Sequence, residues 1–260
     1  MKTSIAAFFL AVACLLFVKT SSAQGSSPQR DSQALDLLAR CASAMGSPGP
    51  ETTVSSSGTI IPFNSVDASE AVVLKSKGDA SMRWEIQHAN GLETIVLSQG
   101  HGKSTRGAIS SRLPGWHVRY SRQEHFPALL CALEAHRPNM DIVYVGLEQV
   151  GGTSAHHIRI SAAASGKSKV ADTAERIISE FHIFLDARSL TVVKTMHYIF
   201  SPDAIENHSV LESYYNDYKP VANVSMPFTI THVLAGQKVQ EIRFDKIELN
   251  TAIDDSDFSL

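Results

Sequence analysis

Most of this chain alternates apolar and polar side chains with period two. That pattern limits what it can fold into, because successive residues of an extended strand face opposite sides of a sheet. Met82, Trp84 and Ile86 share one face of such a stretch, with Arg83, Glu85 and Gln87 on the other, and Phe181, Ile183 and Leu185 stand against His182 in the same way. The pattern recurs at short spacing over 57–63, 69–77, 80–88, 92–99, 115–120, 141–149, 154–162, 179–186, 190–200, 208–218, 227–235 and 238–249. Asn90-Gly91, Gly151-Gly152, Asp186-Ala187-Arg188 and Ala235-Gly236 supply turns between these stretches, and Asn-Gly is the strongest of the short hairpin signals. Many short strands joined by tight turns predict antiparallel sheet. Two helices are expected beside it. Asp31 can cap one that carries Leu35, Leu38, Cys41 and Met45 on one face and ends at Gly46 and Pro48; the other spans about 123–136, with Pro127 near its first turn. The stretches 100–115 and 162–174, rich in Gly, Ser and charge, read as loops.

Lys2, an apolar run from Ile5 to Val18 and then Ser21-Ser22-Ala23 stand in the order of a secretory leader. Residues 1–23 are therefore expected to be a signal peptide, 24–30 a polar tether and 31–260 one domain, since an all-β chain of this length need not divide. The formal charge of −3 becomes about −5 when Lys2 and Lys19 leave with the leader, and nothing in that balance favours nucleic acid. Export would place Cys41 and Cys131 where thiols can pair. The alternative is two small apolar side chains on helix faces.

Enzyme motifs are missing. No G-x-S-x-G elbow occurs, and Gly102-Lys103-Ser104 and Gly166-Lys167-Ser168 each lack the earlier glycine of a phosphate loop. Eleven histidines raise the question of a metal, but they are scattered, and His156 and His157, being adjacent, would point to opposite faces of a strand. No metal and no cofactor is expected. Asp254, Asp255 and Asp257 read as a solvated loop, and His101, Lys103, Arg106 and Arg112 as a basic one. Strand residues such as Val192, Met196, Tyr198 and Phe200 on one face, with Val193 and Ile199 on the other, carry more apolar surface than one packed face needs. Extra apolar faces call for a second layer or a lined cavity.

Several stretches resemble the periplasmic lipoprotein carriers of the LolA/LolB type and their superfamily. They are Met82-Arg83-Trp84-Glu85 ahead of Gly91, Tyr144 to Glu148, Ala155 to Ile160, Phe184 to Leu190, Tyr215 to Val221 leading to Met226-Pro227-Phe228, and Ile242-Arg243-Phe244 before Ile247. The resemblance implies a mainly β (α+β) fold in which a strongly curved antiparallel sheet forms a half-open β-barrel around covering helices, with acyl chains in the apolar space between. It implies a periplasmic, non-enzymatic, monomeric binder of a lipid, an acyl chain or a lipoprotein anchor. The expected cavity lining is Met82, Trp84, Ile86, Phe181, Ile183, Leu185, Phe228 and Ile230. Carriers of this type hold a lid with a cavity arginine on an early strand; Arg83 lies on such a strand, without a firm correspondence. Two other readings stand beside this one: a docking module of the cell envelope whose cup is filled by its own side chains, and a hydrolase assembled from distant residues.

Overall fold

The structure is a computed structural model that describes residues 27–260 apart from 64–68, 122–125, 167 and 202–203. The expected leader and the first residues of the expected tether lie outside the described residues. Six strands come first: β1 (Thr53–Pro62), β2 (Glu70–Lys77), β3 (Ser81–His88), β4 (Gly91–Ser98), β5 (His101–Arg106) and β6 (Ile109–Arg112). Seven follow: β7 (Met140–Val150), β8 (Thr153–Ala162), β9 (Phe181–Asp186), β10 (Val192–Ser201), β11 (Ala204–Val221), β12 (Val224–Leu234) and β13 (Gln237–Leu249). All thirteen lie in one antiparallel sheet, in the order β6-β5-β4-β3-β2-β1-β13-β12-β11-β10-β9-β8-β7.

That order is two up-and-down meanders joined at a single seam, where β1 pairs with β13. Val54 faces Leu249 there and Ile60 faces Ile242, with a shift of register at Ser57 and Gly58. A β-carbon on Gly58 would lie 2.0 Å from the Arg243 carbonyl oxygen, so the backbones touch where a side chain would stand. The outermost strands, β6 and β7, do not pair with one another, and the curved sheet is a half-open barrel, as the resemblance implies.

Helix α1 (Ser32–Ala44) fills one end of the cup. The Asp31 side chain accepts from the Gln33 amide at 2.8 Å. Of the expected face Leu38, Cys41 and Met45 are buried and Leu35 half-buried, and Leu37, which the spacing did not single out, is buried with them. Just before it, Gln29 to Asp31 run beside β7: the Ile142 amide donates to the Gln29 carbonyl at 2.7 Å and the Asp31 amide to the Ile142 carbonyl at 2.9 Å. These bonds cover part of an otherwise open strand edge. Helix α3 (Pro127–Glu134) opens on its proline and packs against α1, burying Leu129, Leu130 and Cys131. The two helices and the inner faces of both meanders form one continuous core.

Three local expectations are corrected. Residues 100–115, read as a loop, hold the β5–β6 hairpin; β6 is exposed along its whole length, so no apolar alternation marks it. Residues 115–120, read as a strand, lie in helix α2 (Gly115–Ser121). The 162–174 loop gives way to helix α4 (Lys169–Ser179), whose first turn is capped by Ser168 Oγ accepting from the Ala171 amide at 3.1 Å. Ala171, Ala174 and Ile178 have the spacing of one helical face and could have revealed it.

Candidate functional site

Away from α1 and α3 the cup is hollow. A cavity of about 360 Å³ remains between the sheet and α2, within the range of roughly 300–1,000 Å³ usual for small-molecule sites. Strand β3 supplies Met82, Trp84 and Ile86 to its wall, and β4 adds Ile95. Across the seam stand Ile60 and Ile242; Leu211, Leu234 and Ile199 come from the second meander. From α2, His117 and Ser121 close the far side.

The eight residues expected to line a cavity divide. Met82, Trp84 and Ile86 face this one. Phe181, Ile183, Leu185 and Ile230 lie in the continuous core shared with α1 and α3. Phe228 is half-buried beside that core, with the Lys219 ammonium 4.4 Å from its ring centroid. Arg83 lies away from the cavity: it pairs with Glu85 at 2.8 Å and donates to the Asp257 carbonyl at 3.2 Å. Cys41 and Cys131 are free, fully buried thiols on the facing helices. Burial, with Cys41 alongside as a hydrogen-bond partner, pushes the Cys131 thiol well above its usual value.

What sequence reasoning missed is the polarity of the wall. His197 and His232 are buried in it and His117 stands over it. Burial holds His232 down to about 4; burial, with His232 and His117 nearby, holds His197 down to about 3, and burial also lowers His117. At neutral pH these are uncharged imidazoles. His232 Nδ1 meets Ser213 Oγ at 2.9 Å, and its Nε2 has no hydrogen bond among the described residues. This Ser–His contact is the nearest approach to a nucleophile and base. Ser213 is fully buried, however, and a base held near 4 is mostly unable to keep a proton in a transition state at neutral pH. The orienting carboxylate of a triad has no counterpart at His232 among the described residues.

A second ionisable group lies in β7–β9, on the opposite face from Ile158 and Ile183, and is closed by its own partners. His157 bonds Glu148 at 2.6 Å and His182 at 2.7 Å, and His182 bonds Glu180 at 3.1 Å. The two imidazoles thus form one hydrogen-bonded series between two carboxylates. Phe184 stacks on His157, and the Lys194 ammonium sits 4.0 Å above the Phe184 ring. This arrangement staples β7 to β10 from outside. Another hollow, about 450 Å³ beside α4, is lined by Asp141, Lys169, Asp172 and Arg176 and is too polar for hydrocarbon. No three His, Cys, Asp or Glu among the described residues gather as a metal site. No helix among them is long and apolar enough to cross a membrane.

A curved, open antiparallel sheet that cups helices and a cavity is the LolA-like fold, and solved structures agree. An outer membrane lipoprotein-sorting protein domain from Vibrio parahaemolyticus superposes with a TM-score of 0.56 over 87% of this chain and 96% of its own, at 11% identity. A LolA superfamily protein from Nitrosomonas europaea gives 0.54 over 87% and 97%, at 10% identity. No protein-family model and no curated protein matches the sequence.

Proposed function

We propose that this chain is an exported, non-enzymatic binding protein of the periplasm that carries a lipid, acyl chain or lipoprotein anchor in the cavity under α2. The observation that carries the reading is the unequal filling of the cup: two helices pack one end, while the other keeps an apolar wall around empty space. Each methylene taken from water into such a wall contributes roughly 0.8 kcal/mol, so a chain of about ten carbons needs no catalytic group to be held. The likeness to lipoprotein-sorting domains supports the same reading, as does the leader-like start of the sequence.

The test is uptake of a fluorescent acyl probe by the mature protein, with solvent extraction and mass spectrometry of whatever co-purifies from a bacterial periplasm. Ile199→Glu and Leu211→Glu place charge in the half-buried wall and are expected to weaken probe binding by about ten-fold or more, with the circular dichroism spectrum unchanged. Phe228→Glu, outside the cavity, should leave affinity within about two-fold. Absence of both lipid and probe uptake from the folded protein would shift the assignment to a docking module.

In the same compartment the neighbouring thiols of Cys41 and Cys131 would close into a disulfide tying α1 to α3. Intact mass under denaturing conditions checks this. The periplasmic protein should be lighter than its reduced form by two hydrogens, and an unchanged mass would leave the pair as buried thiols.

A further inference from the structure

Strand register shows how the polar residues of the cavity are placed. Tyr215 faces Ile230, Ile230 faces Ile242 and Ile242 faces Ile60, making an apolar row on the side toward the helices. One step outward, Thr195 faces Ser213, Ser213 faces His232 and His232 faces Gln240. The next row sets His197 opposite Leu211 and Leu211 opposite Leu234. A band of hydrogen-bonding groups therefore lies between two apolar zones, under His117 and Ser121 of α2.

A wall meant for hydrocarbon alone has no use for that band, because a buried polar group left without a partner is costly. His232 lines the cavity and its Nε2 has no hydrogen bond among the described residues, so hydrocarbon laid against it would bury that nitrogen without a partner. An ionised head would fit poorly here, because an unpaired charge taken from water costs far more than an unpaired dipole. A carbonyl or amide satisfies imidazole and carboxamide without bringing charge, and hydrocarbon on either side of it matches the apolar rows.

We propose that His232, Gln240 and His197, with His117 and Ser121 above them, recognise a neutral ester or amide linkage, so that the cargo is an acyl chain bound through such a linkage and not a free fatty acid or a phosphate-headed lipid. This rests on the acyl-binding reading above and specifies its ligand. Acylglycerols and acylated peptides share the required chemistry.

The experiment is competition at pH 7 against a fluorescent monoacylglycerol, using hexadecanoyl-glycerol, N-hexadecanoyl-glycinamide, hexadecanoate and hexadecanoyl-glycerol phosphate. The neutral ester and amide are expected to compete about ten-fold or more better than the two anions. A preference for the ester points to acylglycerols as the source and a preference for the amide to acylated peptides, and either supports the proposal. His232→Leu should retain uptake of the chain but lose most of that discrimination; if it does not fold, the panel on the unmodified protein decides. Anions that compete equally or better, with the probe still bound, would overturn the linkage proposal and leave the acyl-binding reading intact. Failure of the folded protein to bind any member would overturn both.

Discussion

Lowering the pH from 7 to 5 is expected to remove about 4 kcal/mol of folding stability through two side chains, His197 and His232. Their folded-state values are about 3 and about 4, mainly because burial penalises the imidazolium, whereas an unfolded histidine titrates near 6.5. Above about 6.5 both states are neutral and neither residue makes stability depend on pH. Below it the unfolded chain binds two protons that the folded chain refuses, so stability drains by about 1.4 kcal/mol per pH unit for each residue until the folded values are reached. His157, also lowered by burial, acts in the same direction. His88 opposes them: burial works to lower it, but its hydrogen bonds to Glu70 at 2.6 Å and Glu93 at 2.9 Å outweigh that and raise it. Its contribution is present below the unfolded value and fades as the pH rises through the raised one. It is a single group, so the net change remains a loss. Urea unfolding at the two pH values measures this. His232→Asn should flatten the slope by about half, and a midpoint that does not move would show that the wall histidines are not held neutral.

The second large effect belongs to the seam. Gly58→Ala is expected to cost about 3 kcal/mol or more, because the added methyl meets main chain that cannot rotate away. The β-carbon would lie 2.0 Å from the Arg243 carbonyl oxygen and 2.7 Å from the Phe244 α-carbon, so β1 and β13 must separate to admit it. This pairing alone joins the two meanders, and the cavity spans it through Ile60 and Ile242, so ligand uptake should fall with stability. Gly49→Ala is the control: its β-carbon meets nothing within 4 Å, and the change should stay within about 0.5 kcal/mol. Equal melting temperatures for the two variants would refute the close approach.

Where a strand packs one face, the sequence announces it. Met82, Trp84 and Ile86 alternate cleanly because β3 has a buried side and a wet one. The β5–β6 hairpin was illegible because an edge strand exposed along its length needs no such pattern. Helix α2 was misread because a six-residue run does not separate period two from period 3.6. The site was harder still. His197 and His232 come near one another only through the pairing of β10, β11 and β12, and register shifts after Val192 and after His232 change which residues face inward. Neighbouring positions in sequence carry no trace of that register, so the three cavity histidines look scattered along the chain.

A sheet whose middle is made by its first and last strands also fixes an order of events. Of the thirteen strands β13 is the last to be made, so the centre of the sheet closes only after the other strands are available. Until then each meander carries an unpaired inner edge, and contacts this distant in sequence form slowly. The same arrangement makes loss of the last strand a split into two open sheets, prone to pair with strangers, instead of a shorter version of the same cup.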